Sequence, residues 1–436
     1  MSKSEKFKTQ AWVVAVSMGY GHQRTAYPLR ELAPQAKVIY ANDYEGIPES
    51  DKNIWQSSRR FYEFMSNFRK IPLIGPFSFY IFDRFQKILS FYPKRDLSES
   101  TFVLQRIFEL IKNGWGKHLI ETLSQNPLPL LTTFFTPAFM AEVYEYPGEI
   151  YCIICDADIS RIWVSLNPGT SRIKYLAPTE RVTERLKLYG VKKENIFLTG
   201  YPLPKENLGT PAFETLRKDV GKRLMNLDPQ GKYCKTHFAL VRTYLSDSLK
   251  RPSRPLTILF SVGGAGAQKE IALKAIKSLA QKIKTSEIKF IVSAGTKSAV
   301  RDYFEKMLRA LNIKINSTEG VQILYEPNVQ DYFKKFNETL RKTDILWTKP
   351  SELSFYSALG IPIIIASPLG SQETFNRDWL LAKGSGIAQN DPVYTNEWLF
   401  DYLNEGRFAE AAMEGLLETE KLGTFNIEKI ISRNQK

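Results

Sequence analysis

Val13-Val14-Ala15-Val16-Ser17-Met18-Gly19-Tyr20-Gly21-His22 is the stretch on which the fold turns. An apolar run ends in two glycines separated by one residue, and a histidine follows at once. From Gln23 to Ala33, polar and apolar residues alternate at helical spacing. This pattern predicts a strand, a tight turn and a helix. Gly19 and Gly21 let the backbone turn sharply and let a ligand approach without a Cβ in its way. The amides of the turn and of the helix N-terminus can hold an anion or a hydroxyl. His22 is placed at the carboxyl end of a strand, where open α/β sheets bind their ligands.

The same grammar returns at Leu256-Thr257-Ile258-Leu259-Phe260-Ser261-Val262-Gly263-Gly264-Ala265-Gly266-Ala267-Gln268. Around the first turn, strands are predicted at Lys37–Ala41, Leu128–Phe135, Glu149–Ile154, Ile173–Leu176 and Ile196–Leu198. An amphipathic helix is predicted over Phe102–Leu123, and Thr179-Glu180-Arg181-Val182 opens another with Thr179 as its cap. Beyond the second turn, strands follow at Phe290–Gly295, Gln322–Tyr325, Ile345–Trp347 and Pro362–Ala366. Strands alternating with helices predict an α/β fold of two doubly wound, Rossmann-like domains facing a central cleft, with helical insertions. At about 150 residues per domain, the 436 residues fit two or three domains. The expected division is 1–204 for the first, with an aromatic and basic helical insertion at about 51–125. Residues 205–255 form a helical insertion and linker, and 256–436 a second domain ending in a helical tail. The segment 205–255 is basic, with eleven Lys or Arg against five Asp or Glu between Lys205 and Arg254.

The whole chain is basic as well, at net charge +14 and pI near 9.4. That favours an anionic partner: a membrane surface, nucleic acid or phosphorylated substrates. Hydrophobic residues make up 43%, enough for globular cores. The three cysteines, Cys152, Cys155 and Cys234, make no disulfide framework and fit a reducing cytoplasm. Cys152 and Cys155 have metal-like spacing but sit in an apolar run without a second pair, so buried thiols are expected. The apolar stretch after the charged N-terminus is short and lacks a cleavage site, so it is a core strand and not a signal peptide. No uncharged run reaches the ~20 residues of a membrane span.

Between Trp55 and Tyr92 lie twelve aromatic residues, interleaved with Arg59, Arg60, Arg69, Lys70, Arg84 and Lys87. Rings beside cations suit an interfacial helix, with Phe77, Phe79 and Phe85 at the acyl boundary and Arg69, Lys70 and Arg84 at lipid phosphates. The alternative is an aromatic-rich core helix. No RNA-binding motif accompanies the rings, so no nucleic-acid partner is expected.

Neither glycine turn is a dinucleotide fingerprint or a P-loop. The Gly263, Gly264, Gly266 turn fits a diphosphate, whose charge its amides and helix dipole would receive without a metal. Nothing clusters His, Cys, Asp and Glu at metal spacing. His22 is the candidate general base, because imidazole titrates near neutrality; the alternative is a packing or capping histidine. Asp156 and Asp158 would orient it, act as base themselves, or simply cap turns. Lys349 and Glu352 sit at a strand end that opens a helix. Gln372, Glu373 and Asn376 do so after the next strand, with Gln372 and Asn376 on one helix face. Amides beside a carboxylate are the partners sugar hydroxyls need, and a capping cluster is the alternative for each.

Taken together, these motifs resemble the GT-B glycosyltransferases of the inverting, lipid-acceptor group (family 28), which includes monogalactosyldiacylglycerol synthase and the processive diacylglycerol glucosyltransferases. The resemblance rests on Ser17-Met18-Gly19-Tyr20-Gly21-His22, on Cys155-Asp156 with Trp163, and on Tyr175 to Val182. It continues through Asn195 to Pro202, Val262 to Gly266, Thr348-Lys349-Pro350 and Gly370 to Asn376. One departure stands out. The family's donor-binding glutamate lies five residues before the glycine that is Gly360 here, and that position is Phe355; Glu352 is three residues earlier. The resemblance implies a metal-independent hexosyltransferase with no cofactor beyond its nucleotide-sugar substrate. It implies a UDP-sugar on the C-terminal domain and a lipid or lipid-linked acceptor entering over the N-terminal domain. His22 or Asp156 would deprotonate the acceptor, and the Gly263–Gly266 loop would receive the diphosphate. It further implies a cytoplasmic protein, peripheral on the anionic inner face of the membrane. The alternatives are a sugar-nucleotide epimerase of the same fold, or an inactive binding protein on this scaffold.

Overall fold

The computed structural model describes residues 10–57, 88–245, 248–261, 268–368 and 370–433. The chain divides into two compact units. The first is Met1–Pro202 with Gly370–Gln372 and Leu422–Lys436; the second is Leu203–Leu369 with Glu373–Lys421.

The first unit is built on a six-stranded sheet with strand order β2-β1-β3-β4-β5-β6. Its strands are β1 Trp12–Ala15, β2 Ile39–Tyr40, β3 Leu130–Thr132, β4 Ile150–Ile153, β5 Lys174–Ala177 and β6 Ile196–Leu198. Every pairing is parallel. A parallel sheet is covered on both faces, so its central strands must be apolar throughout. Successive side chains point to opposite faces, and the cores divide accordingly. Val14, Leu130, Cys152 and Tyr175 pack on one side, and Val13, Leu131, Tyr151 and Leu176 on the other. Burying each Val or Leu contributes ~1.5–3 kcal/mol.

Two expectations for this unit need correction. The single helix expected over Phe102–Leu123 is two, Phe102–Lys112 and Lys117–Ser124. Gly114 (φ 112°) and Gly116 (φ 82°) take left-handed conformations between them, and these end the first helix. The helical tail expected with the second domain returns to the first. In the helix Gly423–Arg433, Ile427 and Ile431 lie one turn apart and bury against Val13, Ala15 and Leu131. Asn426 Nδ2 fixes the start of that helix by donating to Thr199 O at 2.9 Å.

The second unit has seven strands in the order β13-β12-β11-β7-β8-β10-β9. They are β7 Leu256–Ser261, β8 Ile288–Gly295, β9 Lys314–Ile315, β10 Gly320–Tyr325, β11 Ile345–Thr348, β12 Ile363–Ile365 and β13 Gly386–Ala388. All pair in parallel. The chain winds outward from β7 to one edge, then returns to β11 on the other side of β7. This is the doubly wound Rossmann order, with its switch point between β7 and β11. In the first unit the switch point falls between β1 and β3.

The basic segment 205–255 is not a linker; it belongs to the second unit. Arg223, on the helix Glu214–Leu227, is buried, and its guanidinium donates to Thr343 O at 2.7 Å and Leu359 O at 2.7 Å. Burial pushes its pKa down to about 10. Arg254 grips the fully buried Asp344 just before β11, at 2.5 and 2.6 Å. An arginine that satisfies several buried carbonyls welds its helix to the sheet. Among the described residues, no helix is long and apolar enough to cross a membrane.

Candidate functional site

The first unit forms its candidate site at the carboxyl ends of β1, β3 and β4. After β1 the chain passes through Gly19 (φ 110°) and enters the helix Tyr20–Ala26. Only glycine adopts that φ without strain. Asn42, just past β2, holds the turn, accepting from Ser17 N and donating to Ser17 Oγ, both at 2.9 Å. His22 therefore projects from the first helical turn, half-buried. Its Nδ1 lies 2.8 Å from Thr133 O. A carbonyl oxygen only accepts, so Nδ1 carries the proton and the neutral ring keeps its lone pair on Nε2. Thr133 Oγ1 donates back to His22 O at 2.9 Å. The Cys155 thiol donates to Thr133 O at 3.3 Å and lies 3.5 Å from His22 Nδ1. Phe134 meets the imidazole edge-on at 4.7 Å, and Trp163 lies at 6.1 Å. The ring is thus fixed in tautomer and in orientation by three strand ends.

The two aspartates separate. Asp158 is 1% exposed and holds Arg185 at 2.8 Å through both oxygens and Arg181 Nε at 2.9 Å. The Arg181 guanidinium also stacks 3.6 Å from the Phe91 ring. Asp158 is therefore a structural anchor, and the expectation that it orients or replaces His22 does not hold. Asp156 is half-buried one residue beyond Cys155, but the Nδ1 proton that a carboxylate would take is already given to Thr133 O. The Cys152-x-x-Cys155 pair makes no joint site. Burial pushes the Cys152 thiol pKa far up inside β4, while Cys155 turns towards the histidine.

In the second unit Lys349 follows β11, at the switch point beside β7. Thr348 Oγ1 reaches Ser261 O at 3.4 Å across that seam. The Lys349 ammonium pairs with the Glu373 carboxylate, both mostly buried. Glu352 is half-buried and opens the 3-10 helix Glu352–Leu359. Asn376 is 1% exposed on the helix Ser371–Ala382. The boundary between units crosses this helix, so Gln372 counts with the first unit while Glu373 and Asn376 stay with Lys349. Phe355 is buried, with its ring 4.9 Å from that of Trp379. Gln268 Nε2 donates to Ser367 O at 2.7 Å, tying the start of a helix to the end of β12. Gly263, Gly264 and Gly266 lie outside the described residues, as do Arg69, Lys70, Phe77, Phe79, Arg84 and Phe85.

Sequence comparison adds relatives to this geometry. The chain is 22% identical over 293 residues to the processive diacylglycerol beta-glucosyltransferase of Bacillus subtilis (strain 168), covering 66% of this chain and 63% of the relative. It is 23% identical over 292 residues to the enzyme of the same name from Bacillus pumilus (strain SAFR-032), with the same coverage. The chain resembles the lipid-acceptor glycosyltransferases. It spans less than two-thirds of the length of these relatives. A family model described as Domain of unknown function (DUF6938) matches residues 226–322. Among solved structures, Acinetobacter baumannii MurG aligns at TM-score 0.46 and 12% identity over 97% of this chain and 99% of its own. The S. aureus MnaA-UDP co-structure aligns at TM-score 0.47 and 11% identity, over 77% and 82%. Neither likeness is close enough to carry an argument about chemistry.

Two residues of this site were missed in the sequence: Thr133 and Phe134. Thr133 lies 111 positions from His22, and its contact is made by a backbone carbonyl that any residue type supplies. Only the Thr132-Thr133-Phe134-Phe135 run at a strand end offered a signal, because polar residues ending a buried strand face the ligand edge of the sheet. Cys155 reads in sequence as a core thiol, and it is one, 3% exposed.

Proposed function

We propose that this protein is an inverting, metal-independent glycosyltransferase. It moves a hexose from a nucleotide-diphosphate sugar, a UDP-sugar, to a hydroxyl of a lipid or lipid-linked acceptor at the anionic cytoplasmic face of a membrane. The observation that carries this reading is the bond from His22 Nδ1 to Thr133 O at 2.8 Å, which leaves Nε2 as a proton acceptor at the switch point of the first sheet. The acceptor hydroxyl gives its proton to Nε2, with Asp156 as the competing base. Its oxygen forms a bond to the anomeric carbon from the face opposite the leaving group. The bond from that carbon to the diphosphate oxygen breaks, and its electron pair leaves with the diphosphate. Gly263, Gly264 and Gly266, which follow Ser261 in sequence, and the Lys349 ammonium receive that charge. Glu373 and Asn376 are suited to hold sugar hydroxyls.

The relatives named as diacylglycerol glucosyltransferases support the reaction class, and their names motivate a diacylglycerol acceptor as the first to test. The experiment is a radiolabelled UDP-sugar screen on anionic vesicles containing diacylglycerol, with lipid-extracted product counted. Transfer in the presence of EDTA, lowered about a hundredfold or more by His22→Gln with donor binding retained, is the expected result. If no sugar nucleotide binds even at millimolar concentration, the enzyme reading is wrong; if free epimerised nucleotide sugar accumulates instead, the protein is an epimerase.

A further inference from the structure

We infer that the second unit carries its own docking face for an anionic phospholipid surface, on the helices Lys232–Thr236 and Phe238–Leu245. Residues 229–254 hold six Lys or Arg against one acid, Asp247. Arg254 turns inward onto Asp344 at 2.5 Å. The other five cations, Lys232, Lys235, Arg242, Lys250 and Arg251, are exposed. Unlike surface cations elsewhere on this unit, such as Lys282 with Glu287 at 2.9 Å, none of the five has a carboxylate within ion-pair distance among the described residues. The acids that approach the segment lie behind it. Asp228 is buried and accepts from the Tyr233 and Cys234 amides. Glu410 and Glu414 act on Tyr233, which is 7% exposed.

Aromatics complete the face. Val241 and Leu245 bury one side of the second helix. Phe238 remains 62% exposed, and Tyr244 44%. The Arg242 guanidinium lies 6.0 Å from the Phe238 ring centroid, one helical turn away. A protruding ring beside a snorkelling cation is the pairing that anchors a peripheral helix, with the ring at the acyl boundary and the charge at phosphates. Stacking of nucleic-acid bases uses ring platforms on a sheet or in a groove, whereas these rings stand on short helical turns. The occupant is therefore the lipid surface. This inference shares the membrane partner of the function proposed above, but it rests on charge and exposure alone, and residues 58–87 play no part in it.

The test uses the full chain and hydrogen exchange read by mass spectrometry, with phosphatidylcholine vesicles made with and without phosphatidylglycerol. Peptides covering 230–251 are expected to exchange more slowly on the anionic vesicles only. Each basic residue at an anionic surface contributes about fivefold in partitioning, so K232E/K235E/R242E loses about tenfold or more in cosedimentation, along with the local protection. The neutral set K232Q/K235Q/R242Q loses less, in the same direction, and unchanged thermal melts exclude misfolding. If the protein binds anionic vesicles while 230–251 exchanges as in solution, this face is refuted and the membrane partner stands. If it binds no anionic vesicle, both fall. If single-stranded RNA protects these peptides and vesicles do not, the face is a nucleic-acid site and the inference is overturned.

Discussion

His22 and Thr133 exchange two hydrogen bonds across the switch point of the first sheet: ring Nδ1 to carbonyl at 2.8 Å, and hydroxyl to the histidine carbonyl at 2.9 Å. The side chain and backbone of one residue are each held by the other. Positioned general bases contribute 10²–10⁴-fold, so His22→Gln is expected to lower kcat by about that factor. Donor affinity, measured by calorimetry, should stay within about twofold of wild type, because His22 belongs to the first unit and Lys349, Glu373 and Asn376 to the second. Retention of near-normal turnover would move the base assignment to Asp156.

Thr133→Val separates the two bonds. It keeps the carbonyl that fixes the tautomer and removes the hydroxyl. The loss of one buried hydrogen bond costs about 1 kcal/mol, visible as a lower midpoint in urea. The pH profile of turnover should keep the wild-type shape, since the Nδ1 partner is unchanged.

Lys349 and Glu373 form a mostly buried pair at the second switch point. Lys349→Met removes a cation assigned to the diphosphate. Hydrogen bonds to charged groups are worth about 1.5–3 kcal/mol, so the KM for the nucleotide sugar should rise by about tenfold to a hundredfold. The KM for the acceptor should not move. If both rise together, Lys349 supports the fold and does not contact the donor.

Asp158 is buried and shared by Arg181 and Arg185. Removing one partner of a buried ion pair leaves an uncompensated charge and costs about 3–5 kcal/mol. Asp158→Asn should therefore unfold at markedly lower urea while Asp156→Asn does not. Equal loss in both variants would make Asp156 a structural anchor as well and remove it as the competing base.

Asp51 gives a pH-dependent case. Its carboxylate accepts from Gly116 N at 3.0 Å, and burial raises its pKa, opposed by that bond and by His118; the Tyr44 hydroxyl lies 3.0 Å from His118 Nδ1. A carboxyl whose folded pKa is raised holds its proton in the native state after the unfolded chain has released it. Stability is then lost as pH rises from the ordinary carboxylate range through the folded value. Asp51→Asn should melt higher than wild type at neutral pH, and the difference should shrink as the pH falls towards the ordinary carboxylate range. A gap that stays constant across that range would rule out this titration.

Both sheets were legible because buried parallel strands are apolar runs, and runs such as Val13–Val16 and Leu256–Ser261 cannot be mistaken for surface. The strands that escaped, β9 and β13, are short edge strands of two and three residues, with little to bury. Gly114 and Gly116 were available in the sequence as helix breakers, but the strong apolar spacing on either side outweighed them. The place of 205–255 was hidden for another reason. Its charge suggested a surface linker, yet Arg223 and Arg254 point inward to carbonyls and a carboxylate supplied from beyond residue 339. Composition counts charges without saying which way they face. His22 was visible from its turn, but its partner depends on which strands become neighbours, and only the sheet order settles that.

The return of the helix Gly423–Arg433 to the first sheet has a consequence for biosynthesis. Ile427 and Ile431 cover the face that Val13 and Ala15 expose, and they are translated after the whole of the second unit. Single domains usually fold in the order in which they leave the ribosome. Here the earlier unit emerges with one side of its sheet covered by Ala26, Leu29 and Leu32 but not by its last helix, the later unit is complete in sequence first, and the earlier one closes with a segment made after both. A chain ending before Leu422 would leave that part of the first sheet uncovered while its second unit is complete in sequence.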